Sequence, residues 1–287
     1  MRPVKYLEPK TLKEACSLLN RYEESARLIA SGQSLIPMLK QGIVIPEYLI
    51  SIKGLPNLDY IIEKDNCLRI GALTTERTIE ISNIVKRRIP VLAEAVKSIG
   101  SIQIRNWGTI GGNLAESDPT GDPPTVLLAL NASIKVYGVK GEREIPLDEF
   151  FIGYMENSMK SDEILTEVII PYLPTRTGGA YIKDTIRAGD TGIVTIAAIV
   201  TLDNQDKVKA ATIVLGSQAE IPIRAYQAEK LAIGKTITDN LEAFTEALRV
   251  EAKPSQDVLG SIEYKSHLAG VRGREALILA IERAKKF

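Results

Sequence analysis

Two glycine-containing stretches hold the residues of this chain whose types and spacing suit chemistry. The first, Ala30-Ser31-Gly32-Gln33-Ser34-Leu35-Ile36-Pro37, leaves an apolar run and enters a helix-like segment. Glycine there lets backbone N–H groups approach an anion, and a turn of successive N–H groups can cradle phosphate without net charge. Gln33 and Ser34 add side-chain donors. An ordinary strand-to-helix turn also needs glycine for its geometry, so this loop alone leaves both readings open. The second stretch, Trp107-Gly108-Thr109-Ile110-Gly111-Gly112-Asn113-Leu114-Ala115, sets adjacent glycines between a threonine hydroxyl and an asparagine amide. Such a pair permits a backbone–ligand approach that any Cβ would block. Asp122 follows, and its carboxylate suits either ribose hydroxyls or the N-cap of a helix opened by Pro123 and Pro124.

No two glycines stand two residues apart, so the G-x-G-x-x-G nicotinamide fingerprint is excluded, and no complete G-x-x-x-x-G-K-[ST] phosphate loop is present. A dinucleotide bound here needs a cradle that is not of the Rossmann type. Two separated glycine loops bracketing a pyrophosphate would provide one.

The elements that position these loops are readable from periodicity. Thr11 to Tyr22 has Leu12, Ala15, Leu18 and Leu19 at helical spacing behind a threonine cap, and Arg27 to Ser31 reads as a buried strand, giving a β-α-β start. Tyr48 to Ile52 is a further strand. Leu58 to Glu63 and Leu68 to Leu73 form a hairpin around Lys64-Asp65-Asn66. A helix capped by Thr74 and Thr75 is predicted through Ile84, and another over Pro90 to Ser98, with Gly100 as C-terminal stop. Ile102 to Pro124 reads as a long loop, of a length that is usually either functional or disordered. Thr125 to Leu130 is helical, Ser133 to Val139 and Glu142 to Ile145 form a second hairpin, Ile164 to Ile170 is a buried strand, and Pro174 to Gly179 is the best linker. Strands at Ala180 to Ile186, Val194 to Leu202 and Val208 to Leu215 suggest an antiparallel meander, covered by helices at Ile223 to Ile233, Leu241 to Val250 and Ile262 to Lys285.

Composition removes whole classes of function. Lysine plus arginine and aspartate plus glutamate both number 36, leaving no charge surplus to draw the chain to nucleic acid or an anionic membrane. No signal-peptide core and no membrane-length apolar run is present, so a cytoplasmic protein is expected. Cys16 and Cys67 are expected to be free thiols; two thiolates are too few for a [2Fe–2S] cluster. His267, the single histidine, excludes a His-based zinc cage and leaves few routes to Ser-His-Asp catalysis; it is expected to be a surface or half-buried residue on a C-terminal helix. No metal site and no catalytic acid or base is assigned.

Four stretches resemble the FAD-binding, or medium, subunit of molybdenum hydroxylases, the family that includes the flavoproteins of carbon monoxide dehydrogenase, aldehyde oxidoreductase and xanthine dehydrogenase. ASGQSLIPMLK is similar to its first FAD loop and TIGGNLAESDPTGDPPTVLLALNASI to its second; IPIRAYQAEKLAIG and SIEYKSHLAGVRGREAL are similar to two stretches of its C-terminal domain. The resemblance implies an α+β fold: two FAD-binding subdomains of the non-Rossmann, PCMH type at 1–55 and 56–176, then a small antiparallel-sheet-plus-helices domain at 177–287. It implies that Leu28, Ile29, Ala30, Ser31, Gly32, Gln33, Ser34 and Leu35 line the pyrophosphate and ribityl region of a non-covalent FAD, with Thr109, Gly111, Gly112 and Asn113 on the other side of the diphosphate. Asp122 would bind ribose, Ile99 would pack against adenine, and Leu165 and Lys183 would lie near the flavin ring. An ammonium there would stabilise the reduced, anionic flavin and raise its potential; a solvent-facing strand residue is the alternative for Lys183. Two positions depart from the family pattern: Ser31, where relatives often have glycine, and Glu116, where many have histidine or a small polar residue. The expected partners are an iron–sulfur small subunit with [2Fe–2S] clusters and a molybdopterin large subunit, in a heterotrimer or a pair of heterotrimers. The rival readings are a stand-alone flavin oxidase and a flavin-free scaffold.

Overall fold

The computed structural model describes residues 3–236 and 240–286. It begins with β1 (Lys5–Leu7), α1 (Leu12–Tyr22), β2 (Ala26–Ile29), α2 (Leu35–Gln41) and β3 (Tyr48–Ser51). These strands make a parallel sheet in the order β1-β3-β2. The Thr11 hydroxyl accepts from the Glu14 N–H to start α1, which buries Ala15, Cys16 and Leu19 against Ile50 and Ile52. Gly42, at φ 73, ends α2 in the left-handed conformation that glycine adopts without strain.

Next come β4 (Ile61–Lys64) and β5 (Cys67–Gly71), joined through left-handed Asp65 and Asn66. Six helices follow: α3 (Glu76–Ile81), α4 (Asn83–Arg88), α5 (Pro90–Lys97), α6 (Ile102–Arg105), α7 (Ile110–Glu116) and α8 (Asp122–Ala129). Then β6 (Ser133–Gly138), β7 (Gly141–Pro146), the small hairpin of β8 (Phe151–Gly153) and β9 (Glu156–Asn157), and β10 (Ile164–Pro171) complete this region. An antiparallel sheet in the order β4-β5-β10-β6-β7 turns Leu68, Ile70, Ile134, Val136, Val168 and Ile170 onto helical residues including Leu92, Val96, Ile110 and Leu127.

Two predictions fail here. The helix expected through Ile84 breaks at Ser82, whose side chain accepts from Val85 N–H and starts α4. The long loop expected from Ile102 to Pro124 is mostly helical. Ser101 and Thr109 cap α6 and α7 with their hydroxyls, and Ile110 and Leu114, four apart on one face, are fully buried.

The last third holds β11 (Thr177–Asp184), β12 (Val194–Leu202), β13 (Val208–Gly216), β14 (Ile223–Arg224), α9 (Tyr226–Ala232), α10 (Leu241–Glu251) and α11 (Ile262–Ala284). The sheet is an antiparallel meander, β11-β12-β13-β14. Part of the expected linker, Thr177 to Gly179, belongs to β11 because α11 lies directly on it: a Cβ at Gly178 would stand 2.1 Å from the Ala280 carbonyl oxygen. Likewise a Cβ at Gly216 would stand 2.1 Å from Thr125 Oγ1, so glycine sets how closely β13 approaches α8. His267 is exposed on α11. Among the described residues no helix is long and apolar enough to cross a membrane.

Candidate functional site

A cavity of about 780 Å³ opens where the β2–α2 connection, the β5–α3 connection, α7 and the segment leading into β10 converge. Its size lies within the range of roughly 300–1,000 Å³ usual for cofactor sites. Fourteen of the sixteen residues proposed from the sequence line it: Leu28 through Leu35, then Ile99, Thr109, Gly111, Gly112, Asn113 and Leu165.

The β2–α2 connection supplies donors. Gly32 sits at φ +75, and a Cβ there would come within 2.6 Å of Ile36 Cγ1, so both backbone conformation and packing require glycine. Its carbonyl accepts from Ile36 N–H at 3.0 Å, and Ser34 carbonyl accepts from Met38 N–H at 3.3 Å. Among the described residues no protein acceptor takes the N–H of Ser31, Gly32, Gln33 or Ser34. Four successive free N–H groups at a cavity wall suit an anion.

The second loop is built differently. Gly111 N–H donates to the Ala72 carbonyl at 2.9 Å and Asn113 N–H to the Thr109 carbonyl at 2.9 Å, while Gly112 N–H donates to Thr109 Oγ1 at 3.2 Å. The start of α7 therefore spends its backbone donors internally. A Cβ on Gly111 would stand 2.5 Å from Ala72 Cβ and 2.8 Å from Ala72 O, whereas one on Gly112 would meet only Thr109 Oγ1, at 2.8 Å. Gly111 packs α7 against Ala72, just past β5, whereas Thr109 Oγ1 is the one close neighbour of a Cβ on Gly112.

Asp122 and Lys183 do not line the cavity. Lys183 Nζ stands 2.9 Å from Asp122 Oδ2 and donates to the Ser98 carbonyl at 3.3 Å, while the Tyr181 hydroxyl donates to Asp122 Oδ1. The cluster is buried, with Asp122 at 4% exposure and the Lys183 side chain at 6%. Burial raises the Asp122 carboxyl and Lys183 opposes that shift. Burial and then the Asp122 charge push the Tyr181 hydroxyl well above its ordinary value. Neither simple alternative holds: Gly121 is the cap residue of α8, without a side-chain bond, and Lys183 does not face solvent. The pair sits behind Ser98 and Ile99, and each charge is matched by the other.

Two carboxyl groups also line the cavity as neighbours of the cradle residues: Glu116, already noted as a departure from the family pattern, and Glu76, which nothing local in the sequence marks. Glu76, 2% exposed, accepts from Asn113 Nδ2 at 3.2 Å through Oε1; its Oε2 and Asn113 Oδ1 have no partner. Burial pushes its pKa up to about 7, against the Asn113 hydrogen bond. A glutamate in the first turn after a Thr75 cap reads as an exposed, dipole-stabilising residue, which hides its burial. Glu116 lines the cavity with Ser34 of the first loop; burial raises its carboxyl, and Ser34 opposes that shift. The Ile99 wall is held by Arg105, whose Nη1 donates to the Ile99 carbonyl at 2.8 Å and whose Nε pairs with Glu80 at 2.9 Å. The tripeptide Gly234-Lys235-Thr236 is no phosphate loop, because Glu229 stands where the first glycine is required.

Fold and site together define a flavin-dinucleotide-binding component of an oxidoreductase, and comparison with known proteins gives its family. Residues 2–173 match the model of the FAD binding domain in molybdopterin dehydrogenase, and residues 180–279 that of the CO dehydrogenase flavoprotein C-terminal domain. The chain is 34% identical to the carbon monoxide dehydrogenase medium chain of Hydrogenophaga pseudoflava, covering 95% of each. It is also 34% identical to the 6-hydroxypseudooxynicotine dehydrogenase complex subunit alpha of Paenarthrobacter nicotinovorans, over 98% of this chain and 95% of that one. Among solved structures, reconstituted CO dehydrogenase from Oligotropha carboxidovorans superposes with a TM-score of 0.95 at 31% identity, covering 98% of this chain and 99% of that chain. The chain belongs to the FAD-binding medium subunits of the molybdenum hydroxylases. Its residues fit the cofactor: four free N–H groups, one glycine clearing the opposite wall, and an apolar flank including Leu28, Ile99 and Leu165.

Proposed function

We propose that this chain is the electron-transferring subunit of a cytoplasmic molybdenum hydroxylase complex. In that reading a large subunit oxidises substrate at molybdopterin, [2Fe–2S] clusters on a small subunit relay the electrons, and this chain's FAD passes them to an external acceptor. The observation that carries the reading is the free N–H nest of Ser31 to Ser34 facing the cleared wall at Gly112 across one cavity. Bound there without a covalent link, FAD supplies the two-electron to one-electron redox chemistry.

The chain's own residues bind and orient. Ser31 through Ser34 donate to the diphosphate, with the Thr109 hydroxyl and Asn113 on the other side. Leu28, Ile99 and Leu165 exclude water from the apolar parts, and no side chain acts as general acid or base. Asp122 and Lys183 back the Ile99 wall as a neutral pair, so the lysine raises the flavin potential less than a lone ammonium would. The medium-chain and complex-subunit descriptions of the relatives support the partners, which form a heterotrimer or a pair of them. Purification from the native host under non-denaturing conditions, with subunit masses and molybdenum and iron contents measured, tests the proposal. Two further chains carrying both metals are expected; a lone chain with covalent flavin, or one that takes up no FAD, would contradict it.

A further inference from the structure

The charge on the cavity wall has the same sign as the cofactor's diphosphate. Five carboxyl residues line it, Glu23, Glu24, Glu76, Glu116 and Glu163, against a single basic residue, Arg27. Arg27 is exposed and turns its guanidinium to the carbonyls of Glu24 and Ala26. Glu163 is answered by Arg143, which donates to both its oxygens at 2.8 Å. Glu23 and Glu24 are exposed. That leaves Glu76 and Glu116, half-buried or more, without a salt-bridge partner among the described residues, and adjoining the residues proposed to hold the diphosphate: Glu76 through Asn113, Glu116 through Ser34.

We propose that Glu76 and Glu116 make dinucleotide binding proton-linked: as the diphosphate enters, these carboxylates take up protons from solvent and become neutral. The inference rests on the FAD reading of the cavity. A diphosphate diester keeps both negative charges across neutral pH, and bringing it beside unpaired carboxylates in a partly desolvated site disfavours their charged form. The groups facing them do not relieve this. Around Glu76 stand Asn113, Arg105, which is committed to Glu80, and Asp122, which is committed to Lys183. Around Glu116 stand Ser34 and another carboxylate, Asp118. Burial already raises both groups, Glu76 to about 7. Once neutral, each carboxyl gains a hydroxyl donor that can serve the orphaned Asn113 Oδ1 or a phosphate oxygen. The step is balanced: one carboxylate plus one proton gives one carboxylic acid, with no redox change.

The test is isothermal titration of FAD into flavin-free full-length chain between pH 6.5 and 8.5, in buffers of differing ionisation enthalpy, with riboflavin as the probe that lacks the diphosphate. Net proton uptake is expected with FAD, and affinity should fall with rising pH by up to about tenfold per pH unit for each fully linked proton. Glu116→Gln and Glu76→Gln should each flatten that slope, and riboflavin should bind with little pH dependence to all three proteins, which also reports that the variants fold. PH-independent FAD binding, an equally steep slope with riboflavin, or variants that shift affinity equally at every pH would overturn the linkage. FAD that fails to bind at any pH would instead overturn the cavity as the FAD site.

Discussion

The two glycine loops face each other across one cavity, yet they work by different means. Among the described residues, the loop after β2 leaves four N–H groups without a protein acceptor and turns through left-handed Gly32. The loop that becomes α7 bonds its own N–H groups to Ala72 and Thr109 and contributes an open surface at Gly112. A cradle for a diphosphate thus needs one wall that donates and one that stays out of the way. Adjacent glycines can differ as sharply as separate loops: Gly111 is packed against Ala72, whereas a Cβ on Gly112 would meet only Thr109 Oγ1.

The largest effect should come from the residue pair behind this cavity. Lys183→Met leaves Asp122 buried without its counter-charge, and a loss of roughly 3–5 kcal/mol in chemical denaturation is expected. Adding Asp122→Asn should recover part of it. A Lys183→Met protein as stable as the parent would mean the pair is open in solution and Lys183 is free to act on the flavin.

Next, the neighbouring glycines test whether packing and ligand binding fall on different residues. Gly111→Val drives a side chain into Ala72 and its carbonyl, and should cost roughly 3 kcal/mol of stability, the upper part of the usual overpacking range. Gly112→Val, whose Cβ would press to 2.8 Å from the Thr109 oxygen that caps α7, should cost less stability than Gly111→Val while abolishing FAD retention. Equal behaviour of the two variants would erase the distinction between a packing and a ligand face.

A smaller, pH-dependent effect belongs to Glu76. Its folded pKa of about 7 lies above the ordinary carboxyl value of 4.5, so the folded state holds a proton that the unfolded state releases. The favourable contribution is complete below about pH 4.5 and is lost as pH rises through 7. Glu76→Gln should therefore match the parent near pH 4 and exceed it toward pH 8, approaching about 3 kcal/mol. A difference that stays constant across pH would show that Glu76 is ionised throughout.

The elements with strong alternation or helical spacing were legible in the sequence: α1 with its Thr11 cap, the β4–β5 and β6–β7 hairpins, and the β11–β13 meander all form. So were the two loops, although the fourteen proposed residues that reach the cavity are fewer than half of its lining. What could not be read was short or long-range. The helices α6 and α7 span 4 and 7 residues, too few for periodicity to register, and glycines within α7 speak against helix. Asp122 and Lys183 were both picked out, but their bond joins residues 61 apart in sequence, and only the packing of α8 against the β11–β13 sheet brings them together. Glu76 was passed over because its partner Asn113 lies 37 residues away and nothing local marks that first-turn glutamate as buried.

The account stands or falls on whether this cavity holds a non-covalent dinucleotide. The decisive measurement is a visible absorption spectrum of the purified protein, followed by acid extraction and identification of the released flavin, with Gly112→Val beside it. The expected result is a flavin spectrum in the parent, release of about one FAD per chain on denaturation, and a colourless but folded variant. Flavin that remains attached after denaturation, or normal FAD content in Gly112→Val, would contradict the account.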